Sequence, residues 1–281
     1  MTIKNFIILL VGAFLISSCT KNIDFDLNED QQRIVVDGFI TNAKKKHLIR
    51  ITKSTSFFEK EAAPKAENAN VEISDGTNSW SCIEENPGEY FTPDVAFPNE
   101  KKYTLTIDFE GTTYSASDYM NSVIELDTII TFEEEDFDFE NGGKKPFVNI
   151  AMFGTEDKGL GDYYLWKYQV KKPDTAYKDM TPTYRDWSWA SDEFVDGRSP
   201  KEGWPIFTGI ETEEIVPGST VRFQMFGISK AYYEFLDALG KQVFRGGLFD
   251  GPPANIPSNF NNGALGFFTT ASEREATTVK D

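Results

Sequence analysis

At 281 residues, with 28 Lys and Arg against 45 Asp and Glu and a net charge of −17, the chain can bury a substantial core but offers nucleic acid no electrostatic footprint. Aromatic residues make up 14%, which argues against disorder over most of the length. One histidine and two cysteines exclude most histidine-based triads, zinc clusters and disulfide frameworks at once.

The first element is a leader. Lys4 gives a short basic start, residues 6–15 are almost entirely apolar, and Ile16-Ser17-Ser18 runs straight into Cys19. This is the layout of a secretory signal peptide, and its apolar run is too short to span a bilayer comfortably. The cysteine at the cleavage point resembles the lipobox of bacterial lipoproteins, in which residues 1–18 are removed and the thiol of Cys19 carries a diacylglycerol. Cys19 is then the membrane attachment. Several acyl chains anchor stably where one binds only marginally, and lipid is needed because an acidic surface is repelled by anionic headgroups. With Cys19 acylated, only Cys82 remains and no intramolecular disulfide is possible.

Residues 19–32 are polar and acidic without periodicity and read as a flexible tether. From 33 to 118 the pattern is short strands punctuated by turn residues: 34–40, 47–52, 71–74 before Asp75-Gly76, 80–83, 89–91 after Pro87-Gly88, and 103–109 returning through Glu110-Gly111 as 112–115. This spacing predicts an immunoglobulin-like or transthyretin-like β-sandwich. Residues 119–272 predict a second β-rich domain, entered through an extended linker at 120–132, with strands at 147–153, 162–170, 221–226 and 264–270. One helix near the C-terminus is predicted over 231–239, capped by Ser229. Residues 273–281 read as a polar, fraying tail. The fold class is therefore mainly β.

Candidate chemistry is sparse. His47, beside Lys44-Lys45-Lys46, reads as an exposed strand-end histidine, and Cys82 as a small core residue without a nearby base. The densest acidic run, Glu133 to Glu140, is rich in oxygen ligands, but an EF-hand register from Asp136 puts Asn141 at the turn glycine and Phe147 at the bidentate glutamate. It reads as a solvated acidic loop, and no metal or cofactor is assigned. Tyr184, Trp187, Trp189 and Trp204 fall in a stretch of little periodicity. They either plug the second core or present rings to a ligand such as a glycan. No nucleophile elbow, phosphate loop or zinc-protease motif is present.

Taken in order, the lipobox, Val35-Val36-Asp37-Gly38-Phe39-Ile40-Thr41, Glu84 to Tyr90, Tyr103 to Ile107, Tyr164-Leu165-Trp166-Lys167-Tyr168, the helix at 231–239, and Asn259 with Gly263 to Phe268 resemble the Bacteroidota lipoprotein family known as domain of unknown function 4249. The resemblance implies an outer-membrane lipoprotein that accompanies a TonB-dependent receptor, without catalytic activity. The expected function is thus a non-enzymatic accessory or binding partner of such a receptor. A surface glycan- or nutrient-binding lipoprotein is the alternative, and a carboxylate-dependent hydrolase a weaker one.

Overall fold

Val36, Ile40, Ile49, Ile51, Leu105 and Ile107 all fall at alternate strand positions, and all are buried. That alternation builds the first core. The structure, a computed structural model, describes residues 32–55, 61–138, 142–177, 187–243 and 255–281. The leader, Cys19, nearly all of the tether, and Tyr184 lie outside the described residues.

Strands β1 (Ile34–Thr41), β2 (Leu48–Lys53), β3 (Asn70–Ser74), β4 (Ser79–Asn86), β5 (Glu89–Phe91), β6 (Lys101–Phe109) and β7 (Thr112–Met120) follow in sequence. The first half of β4 pairs with β3 and its second half with β5, so this one strand carries the sheet from one layer to the other. The apolar faces of β1, β2 and β5 then close against those of β3, β6 and β7. The turn at Glu110-Gly111 has both residues at positive φ (49° and 79°), as a tight two-residue hairpin requires.

The remaining elements are β8 (Thr128–Phe137), β9 (Lys144–Phe153), β10 (Tyr163–Lys171), β11 (Trp187–Ser191), β12 (Trp204–Glu211), β13 (Thr220–Gly227), helix α1 (Lys230–Val243) and β14 (Leu265–Val279). β12, β9 and β8 form a separate three-stranded sheet. Alternation along β10 sends Tyr164, Trp166 and Tyr168 into a core shared with that sheet. Leu165 points to the opposite face, into a smaller core with Tyr232 and Leu236 of α1. Ser229 caps α1 as expected, its Oγ accepting from the Tyr232 amide at 3.2 Å.

β14 joins the parts. Residues 265–271 run parallel to β1, and 272–279 run antiparallel to β13. The eleven-stranded sheet therefore continues from β7 through β1 and β14 to β11, and β7 itself runs across position 118. Gly266 sits at φ +89°, and a Cβ there would collide with the Val36 carbonyl. The mainly β architecture with one helix near the C-terminus, expected from the sequence, is the one observed among the described residues.

Three expectations are corrected. Residues 273–279 are strand rather than frayed tail, because their polar alternation lets the backbone pair with β13 while Glu275 meets Arg222 across the sheet. Glu133 to Asp136 are strand β8 rather than loop, paired with β9 and with all four side chains exposed. Trp187, Trp189 and Trp204 lie on strands β11 and β12 rather than on an irregular loop.

Candidate functional site

In the β10–β11 register Trp187 faces Lys167 and Trp189 faces Leu165. Facing residues of an antiparallel pair share a side of the sheet, so both tryptophans lie on the α1 side and pack against its core. Trp204 packs into the core on the other side. All three are half-buried. The structure thus separates the aromatic set into a pair and a single residue.

Lys167 is the only charged residue within the run Tyr163 to Tyr168, and the fold half-buries it. Its Nζ lies 3.8 Å from the Trp187 ring centroid, 4.5 Å from Phe39 and 5.2 Å from Phe226. Burial lowers the pKa of this amine to about 8, against smaller upward contributions from Asp37 and Glu273. Lys167, Trp187, Tyr232 and Gln224 line a cavity of about 320 Å³ together with Lys45 and Lys46. A second cavity, of about 800 Å³, lies between α1 and the β1–β14 pair. Phe235, Leu236 and Leu239 of α1 and Phe267 of β14 give it an apolar wall, and it shares Asp37, Trp187 and Tyr232 with the first. Concave space with apolar walls and a few charged groups suits ligand binding.

His47 also borders the smaller cavity, but it is buried rather than exposed, at 2% accessibility. Its amide donates to Thr92 Oγ1 at 2.9 Å and its ring packs edge-on to Phe97. Burial, reinforced by Lys45, lowers its pKa to about 4. The Cys82 thiol is pushed up to about 12 by burial and by Glu72. At neutral pH these shifts favour an unprotonated imidazole and a protonated thiol.

A third cavity, of about 220 Å³, is lined by Trp204, Trp166, Tyr164 and Glu156. The Tyr164 hydroxyl reaches both carboxylate oxygens of Glu156, at 2.7 and 2.8 Å. One ligand atom each from Glu156, Asp162 and Asp192 falls within 4.8 Å of the others. Burial and then the neighbouring carboxylates raise the pKa of both Glu156 and Asp162. Among the described residues this is the one such group of three, and none of its members belongs to the acidic run at 133–140. Neither Lys167 nor this trio was singled out in the sequence. A lysine inside an aromatic run was the available signal for the first, whereas the trio is assembled from loops 30 residues apart in the chain and left no local trace.

A family model described as a domain of unknown function (DUF4249) matches residues 20–277. No curated protein matches the chain.

Proposed function

The chain belongs to the DUF4249 family, and from that premise we propose that it is a lipid-anchored outer-membrane protein of the Bacteroidota, acting as a non-enzymatic accessory partner of a TonB-dependent receptor. The observation that carries the reading is the junction at Cys19: the family match begins at Thr20, directly after the lipobox cysteine, and covers nearly all of the chain that would remain after cleavage. A buried, neutral His47 and a protonated Cys82 supply no obvious catalytic pair, which favours binding over turnover. A lipid anchor places the protein in the same membrane as its receptor and raises their effective concentration, so weak contacts suffice.

A second reading, a small-ligand or nutrient binder, is favoured by the cavities that meet at Trp187.

The test is a pull-down of the tagged protein from gently solubilised outer membrane. Co-purification of a stoichiometric β-barrel receptor supports the accessory role, and recovery of the protein alone removes it. Cys19→Ala is expected to leave an unlipidated, mislocalised precursor, and normal membrane retention of that variant rejects the anchor.

A further inference from the structure

One cation of the smaller cavity has no directly paired carboxylate. Lys45 is paired with Glu273 at 2.7 Å and Lys46 with Glu85 at 2.5 Å, while Arg50 holds Glu89 at 3.2 Å and the more exposed Asp37 at 3.6 Å. Lys167 has no carboxylate within ion-pair distance and no hydrogen-bond acceptor among the described residues; its near neighbours are three aromatic rings. Rings attract an ammonium through their quadrupole, but they accept none of its three N–H bonds in the way an oxygen does. A half-buried cation without a carboxylate partner and with space beside it is a place for an anion.

The single ammonium without a contact partner narrows the ligand. One unpaired ammonium balances one negative charge, and a dianion would bury a charge without a partner. Lysine presents a point charge rather than the flat fork of arginine, so it does not select a bidentate phosphate. The cavity, about 320 Å³, suits a small molecule, and Trp187, Tyr232, Phe39 and Leu48 form the apolar part of its wall. We propose that this cavity binds a small organic acid, its carboxylate paired with Lys167 Nζ and its apolar body against Trp187 and Tyr232. The proposal rests on the second reading above, the small-ligand binder, and names the chemical class of its ligand.

The test uses the full chain in a non-ionic detergent, titrated calorimetrically with benzoate and with its uncharged isostere benzamide. Benzoate is expected to bind at least about tenfold more tightly at pH 7. The Lys167→Gln variant is expected to lose that preference and Lys167→Arg to keep most of it. In the unaltered protein the affinity for benzoate is expected to fall about tenfold or more between pH 7 and 9.5, as the competent, protonated fraction of Lys167 shrinks. The charged and titratable groups facing Lys167 are Asp37 from β1, Lys45, Lys46 and His47 ahead of β2, Tyr232 from α1 and Glu273 from β14. His47, at about 4, is already neutral throughout that range.

Equal affinity for benzoate and benzamide overturns the anion site while leaving a ligand-binding protein. Failure of both probes to bind overturns the site and removes the support for the second reading. A folded Lys167→Gln protein that still prefers benzoate places the anion elsewhere and overturns the proposal. Should that variant not fold, the pH series on the unaltered chain decides, and a flat profile overturns it.

Discussion

The Thr41 hydroxyl donates to Glu273 Oε2 at 2.8 Å, tying the end of β1 to the second half of β14. Lys45 Nζ reaches the same oxygen at 2.7 Å, and Gln224 reaches the other at 2.7 Å. Burial alone would raise the Glu273 pKa, but Lys45, Thr41 and Gln224 outweigh it and hold the carboxyl below its usual range. Because Thr41 spends its proton on Glu273, its oxygen accepts from His47 Nε2 at 3.2 Å, which assigns the Nε2–H tautomer. His47 Nδ1 is left buried without a partner, where a second proton is costly.

His47 is therefore expected to titrate near 4 rather than near 6.5. The folded pKa of this base is depressed, so its contribution to stability is intact above the unfolded value and is lost as pH falls from about 6.5 toward 4. A shift of this size corresponds to a loss of about 3 kcal/mol. With one imidazole in the chain, a proton NMR titration reads it without assignment. An inflection near 6.5 would show that the ring is solvated. Urea unfolding at pH 7 and at pH 4.5 supplies the energetic half, with His47→Gln expected to flatten that part of the dependence.

The contrast between β1 and His47 shows what was legible. Strand β1, strand β6 and the turns at Asp75-Gly76 and Glu110-Gly111 are written in short-range patterns of alternation and turn chemistry, and the helix start at Ser229 is a local cap. The surroundings of His47 come instead from Thr41, Thr92 and Phe97, which only the folded sheet brings together. β11 and the last turns of β14 escaped for a related reason. Their strand character comes from partners in β10 and β13, not from their own polar or aromatic-rich sequence. The tryptophans were visible as candidate rings, but Lys167 as their companion requires the β10–β11 register.

Gly266 is expected to be among the least replaceable residues of the β1–β14 pair. Its φ of +89° disfavours any side chain, and a Cβ would meet the Val36 backbone where β14 runs beside β1. Gly266→Ala is expected to cost about 3 kcal/mol or more, combining backbone strain with overpacking. A chemical-denaturation midpoint measures it. A loss below 1 kcal/mol would mean that the β1–β14 pair relaxes at small cost.

Asp162→Asn is expected to stabilise the protein. The Asp162 pKa is raised by burial first and then by Asp192, Asp157 and Asp196. For an acid whose folded pKa lies above its unfolded value, stability is greatest below the unfolded pKa and declines as pH rises through the folded one. The gain from Asp162→Asn should thus be small in acid and larger at neutral pH, read as a rise in melting temperature that grows with pH. Melting curves at pH 4 and pH 7.5 test the sign. A variant that loses stability at pH 7.5 would show that the Asp162 charge is compensated in solution.

The separation of Trp187 from Trp204 gives the last expectation. The two indoles pack into different cores, on opposite sides of the sheet that contains β10, and line different cavities. Each truncation to alanine is expected to cost about 2 kcal/mol through lost packing. Residues with no shared partners contribute independently, so the double variant should lose the sum to within about 0.5 kcal/mol. Binding should divide differently: Trp187→Ala weakens benzoate because that ring borders the Lys167 cavity, whereas Trp204→Ala leaves it unchanged. Strong coupling between the two in stability, or equal effects on benzoate, would mean that the tryptophans act as one surface and that the cavities beside β10 and β11 do not function separately.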